Sequence, residues 1–129
     1  MSISQSISRG WAGQNGTPIN PPAQVFTGSE ELNFDFSVAG TTTNEQFALA
    51  FTKSLLQSIY IYSPTENLTI KTNSSSVPQD TLTITAGEPL VWDVNCGLTC
   101  PFSNNVTTAF VTNATSTATQ LSIRGLTNG

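Results

Sequence analysis

The sequence predicts an all-β protein: an antiparallel β-sandwich, jelly-roll-like, of about eight strands, preceded by an extended N-terminal arm. Three observations carry this. From about residue 25 onward apolar and polar residues mostly alternate with period two, as on half-buried strands. Turn-forming residues interrupt the alternation every eight to twelve positions or so, the spacing of short antiparallel strands. The chain also holds 20 Thr, 15 Ser and 11 Asn, and Thr combines strand propensity with an outward face that stays wet without charge.

Residues 1–24 form the arm and residues 25–129 the sandwich domain. In the arm, Ser2, Ser4, Ser6 and Ser8 alternate with Ile3, Gln5, Ile7 and Arg9. That pattern predicts one short edge strand over Ile3–Ser8. The Gly- and Pro-rich stretch after it, through Pro21-Pro22, forbids a helix. Two readings stay open for the arm: a loose chain end, or a segment docked on a neighbouring subunit with Trp11 as its buried anchor.

In the domain, Leu32, Phe34, Phe36 and Val38 alternate with Asn33, Asp35 and Ser37, a strand with one apolar face that Gly40 and three Thr close. The stretch from Asn44 to Gln57 fits two periods. Phe47, Leu49 and Phe51 alternate as in a strand, while Phe47, Phe51 and Leu55 lie four apart as on a helix; the Thr flanks favour the strand. Next come Ser58–Tyr62, closed by Pro64, then Asn67–Thr72, then Asp80–Thr85 with Leu82 and Ile84 inward. Ala86-Gly87-Glu88-Pro89 is a turn. Leu90–Val94 follows, then a loop to about Asn105, and finally strands over Val106–Thr112 and Ala118–Leu126.

Composition excludes several functions. The chain of 129 residues is one domain in size. Only 9% of it is charged, with four Lys and Arg against eight Asp and Glu, so no phosphate-tracking stripe forms and no nucleic acid is expected as a partner. No apolar run reaches the roughly 20 residues of a membrane span, and the start lacks the basic and apolar regions of a signal peptide, so no membrane partner is expected. There is no His, which removes the commonest general base and transition-metal ligand.

No motif restores an active site, and the expectation is a non-enzyme without cofactor, metal or catalytic residues. Cys96 and Cys100 make a C-x3-C loop with no further Cys or His to complete a zinc site. They form a small disulfide or remain two thiols. Lys53-Ser54 carries no signature of serine catalysis. Glu30, Glu31, Glu88 and Asp93 sit at strand ends, where carboxylates are solvated, and no calcium-loop pattern involves Asp35, Asp80 or Asp93. The Asn-x-Ser/Thr triplets at Asn15, Asn67, Asn73, Asn105 and Asn113 follow from composition. Tyr60 and Tyr62 share one face of a strand whose other face carries Ile59 and Ile61. An apolar strand on both sides is expected of a core or subunit contact; the competing reading is an aromatic platform for sugar.

The strand-and-turn string itself is similar to a known group. Gln57-Ser-Ile-Tyr-Ile-Tyr62, Leu68-Thr-Ile-Lys-Thr-Asn73-Ser-Ser-Ser and Asp80-Thr-Leu-Thr-Ile-Thr-Ala-Gly-Glu-Pro-Leu-Val-Trp92 are followed by Cys100-Pro-Phe102, Asn105-Val-Thr-Thr-Ala-Phe-Val-Thr-Asn-Ala114 and Leu121-Ser-Ile-Arg124. Over roughly residues 57–126 this resembles the small β-rich structural proteins of tailed bacteriophages. The resemblance implies a capsid decoration (cement) protein that binds the major capsid protein on the virion's outer surface, assembles in the host cytoplasm, and is a homo-oligomer, with a trimer as the expected form. Trp11, Tyr60 and Tyr62 are the candidate subunit contacts. A tail, fibre or adaptor component of the virion is the next expectation, and a carbohydrate-binding β-sandwich module the third. The Cys96–Cys100 loop and the arm match nothing in that pattern.

Overall fold

The computed structural model describes residues 2–10 and 12–128. It is all-β, with antiparallel pairing throughout and a single short 3-10 turn at Lys53–Leu55. The described residues form ten strands: β1 Ile3–Ile7, β2 Gln24–Gly28, β3 Glu30–Val38, β4 Thr42–Phe47, β5 Leu56–Tyr62, β6 Leu68–Thr72, β7 Thr81–Ile84, β8 Leu90–Asp93, β9 Ala109–Asn113 and β10 Thr119–Thr127. Two four-stranded sheets run in the order β3-β10-β5-β8 and β4-β9-β6-β7, and β1 pairs with β2 in a separate two-stranded sheet.

Both four-stranded sheets contribute to one apolar cluster. Ile59, Ile61, Leu121 and Ile123 come from the first sheet, and Leu68, Ile70, Ala109 and Val111 from the second. All are buried because the alternation aims them at one another. Phe34 and Phe36 of β3 meet Phe47 of β4, with ring centroids 5.9 and 5.3 Å apart. Phe102, from the loop before β9, is fully buried and packs edge-on against Phe51 at 5.0 Å.

The ambiguous stretch from Asn44 to Gln57 is a strand only in part. β4 ends at Phe47, Leu49 is fully buried, and Phe51 makes an isolated antiparallel bridge to Val106 before the 3-10 turn. The strand Leu32–Val38 closes before Gly40 as expected, but Thr42 and Thr43 already belong to the next strand. A turn at Thr41, whose φ is 56°, leads straight into β4, and Asn44 at φ 50° accompanies a shift in its register with β9. The strand read as starting at Val106 begins at Ala109. β2 is an additional strand beyond those the alternation indicated.

Asn113 shows what one of the Asn-x-Thr triplets does. Its side chain is fully buried; Nδ2 donates to the carbonyls of Thr117 (2.9 Å) and Val38 (3.4 Å), and Oδ1 accepts from the Thr115 amide (3.1 Å) and hydroxyl (2.8 Å). The triplet is the β9–β10 turn's own hydrogen-bond set, the behaviour expected of Asn and Thr in turns.

Candidate functional site

The outer face of the first sheet is the chemically distinctive surface. Its registers place side chains in rows across the strands, neighbours about 5 Å apart. One row is Glu31, Leu126, Ser58 and Asp93. The next is Asn33, Arg124, Tyr60 and Val91. A third is Asp35, Ser122 and Tyr62.

The β1–β2 hairpin lies over the first row. Leu126 is buried there against Ile7 and Phe26, with Ile3 and Val91 beside them, in a cluster separate from the main core. Gln5 anchors the hairpin from β1: its Nε2 donates to the Gly125 carbonyl (3.0 Å), and its Oε1 accepts from the Ser58 hydroxyl (3.4 Å). Asp93 is buried under the same cover. Its Oδ1 accepts from the Asn95 amide (2.9 Å), and its Oδ2 lies 3.0 Å from Nη2 of Arg9, which follows β1. A buried carboxylate needs such a countercharge, because leaving it alone out of water costs several kcal/mol.

Where β1 stops covering the sheet, a cleft of about 480 Å³ opens along its flank. Gln5, Glu31, Asn33, Ser58, Tyr60 and Arg124 contribute to its lining. Tyr60 is 36% exposed. Asn33 Nδ2 donates to Glu31 Oε2 at 2.9 Å. The Arg124 guanidinium is occupied on two sides: Nη2 meets Asp35 Oδ2 at 2.8 Å, and Nη1 donates to the carbonyls of Ile123 (3.0 Å) and Phe34 (3.2 Å). The hydrogen bond from Arg124, helped by one from the Ser122 hydroxyl at 2.8 Å, holds the Asp35 carboxyl below the usual carboxylate range.

The residues singled out from sequence fall in different places. Tyr60 and Tyr62 lie on this outer face, with Ile59 and Ile61 turned into the core, so neither tyrosine is a core residue. Trp11 lies outside the described residues. Cys96 and Cys100 stand as free, half-buried thiols at the far end of β8, where Trp92 Nε1 donates to the Leu98 carbonyl (3.0 Å) across the same loop. Among the described residues, no group of three or more Cys, Asp or Glu converges as a metal site would require, and no helix is long and apolar enough to cross a membrane.

Sequence reasoning missed Gln5, Asn33 and Arg124 as site residues and weighed Glu31 only as a solvated strand-end carboxylate. A partial signal was present, since Glu31, Asn33 and Asp35 occupy the polar phase of the β3 alternation. Nothing local connects that phase to β1 or to Arg124. No family model, no curated protein and no solved structure matches this chain.

Proposed function

We propose that this chain is a non-enzymatic virion structural protein, a capsid decoration protein that binds the major capsid protein on the outer shell and stabilises it as a homotrimer. The strand order carries the reading. The eight strands β3 to β10, numbered one to eight, pair as 1-8-3-6 and 2-7-4-5. We read this order as that of a double-sheet jelly roll, an architecture that viral capsid domains share with lectin domains and cupins. Residues 57–126, the stretch whose strand-and-turn pattern we read as phage-like, contribute six of these eight strands, β5 to β10.

Physical considerations favour the same role. A decoration protein requires a stiff body and surfaces that tolerate close neighbours rather than reacting groups. With 9% charged residues and a surface of Thr, Ser and Asn, many copies crowd together with little like-charge repulsion. Weak contacts repeated over a lattice then act at high effective concentration.

The test is quantitative mass spectrometry of purified particles from the source, comparing this chain with the main shell protein. The expected result is near-stoichiometric abundance. A few copies per particle would move the protein to the tail, fibre or adaptor, and absence from particles would overturn the virion reading.

A further inference from the structure

We propose that the cleft beside the N-terminal hairpin is a binding site for a neutral, polyhydroxylated ligand, a saccharide unit, with Tyr60, Asn33, Glu31 and Gln5 as its contact residues. This site does not rest on the virion reading.

The lining selects the ligand class by exclusion and by fit. A volume of about 480 Å³ lies within the range of small-ligand sites and accommodates one or two sugar rings. An anion is disfavoured. Arg124, the one cation of the lining among the described residues, already faces Asp35 and two carbonyls, and Glu31 adds a negative charge. A purely apolar ligand would strip water from Glu31 and Asn33 and return no hydrogen bonds to them.

What remains matches the chemistry of a sugar. Asn and Gln each offer a donor and an acceptor side by side, and Glu offers two acceptors, the pattern that vicinal hydroxyls satisfy. Tyr60 supplies an aromatic ring for the C–H face of a pyranose and a hydroxyl for its rim. The site is also ordered in advance. Gln5 is held by Gly125 and Ser58, and Asn33 is held by Glu31, so little side-chain freedom is lost on binding. Tyr62 continues the same outer face one row further along β5, beside Ser122, and extends the surface toward a second sugar unit.

The experiment is a titration of the full chain, followed by amide proton–nitrogen NMR spectra, with three probes: maltotriose, cellotriose and triacetylchitotriose. At least one is expected to shift the amides of Gln5, Asn33, Tyr60 and Arg124 while those of β6 and β7 stay in place. Tyr60→Ala and Asn33→Ala are each expected to weaken that binding about tenfold. Both side chains are exposed, and unchanged Ile59 and Ile61 amides would show that the variants remain folded. Should Tyr60→Ala disturb those amides, Asn33→Ala alone decides. No shift in this row with any of the three sugars at tens of millimolar would overturn the proposal. So would affinities unchanged by the substitutions, or the same amides responding to inorganic phosphate.

Discussion

The eight-strand body and the N-terminal hairpin are held by different means. The body buries sixteen apolar residues in one continuous cluster to which both four-stranded sheets contribute. The hairpin buries Ile7 and Phe26 against Leu126, and otherwise relies on the Gln5 hydrogen bonds and the Arg9–Asp93 ion pair. A two-stranded hairpin is marginal by itself in water. The body therefore supports the hairpin, and the hairpin in turn shields Ser58, Leu126 and Asp93, which would otherwise face solvent on the outer sheet. Stability is concentrated in the body, while one wall of the candidate site stands on the weaker part.

The largest effect should come from striking the body. Phe102→Ala removes a fully buried ring from its edge-on partner Phe51 and is expected to cost about 3–5 kcal/mol. In a denaturant melt, hairpin and body should lose structure together. A hairpin that kept its protection while the body melted would break the comparison.

A smaller and local effect is expected at Gly28, where β2 passes over the end of β10. A Cβ there would stand 2.5 Å from the Thr127 carbonyl oxygen and 2.9 Å from Leu126 Cγ. Gly28→Ala should cost about 1–3 kcal/mol through forced displacement. It should raise hydrogen exchange across Ser4–Ile7 and leave Ile59–Ile61 protected. Equal loss in both regions would show that the hairpin is integral to the body.

The smallest effect concerns Asp35 on the open outer face. Its carboxyl is held below its ordinary range by Arg124 and Ser122, so its folded pKa lies under the unfolded one. The stability it contributes is fully present above an unfolded pKa of about 4 and is lost as the pH falls through the folded value. Both partners of the pair are well exposed, so the contribution is slight. Asp35→Asn should lower the melting temperature slightly between pH 7 and 5 and leave it unchanged near pH 2, so the acid limb flattens a little. A large shift at neutral pH would assign the pair a structural weight its exposure argues against.

Several elements were legible because their information is local. The alternation from Leu32 to Val38 marks β3, and that of Leu82 and Ile84 marks β7, since a period of two permits one inward face. β2 escaped because Gln24-Val-Phe-Thr-Gly28 buries Phe26 and Gly28 in a satellite contact, leaving Val25 66% exposed. Five residues with one large buried side chain give little period to read. β4 escaped at its start because Gly40 and Thr41 turn the chain back instead of ending the sheet.

Sequence alone determined the β class, the position of most strands and the poverty of charge, because alternation and composition are properties of neighbouring residues. Only the tertiary structure decided that β1 folds back over its own sheet, that Arg9 faces Asp93, and that Asn33, Arg124 and Tyr60 stand in one row. Those residues are up to 91 positions apart (33 to 124). Cross-strand pairing between segments so far separated is set by how two whole sheets bury their faces against each other, which no local period encodes.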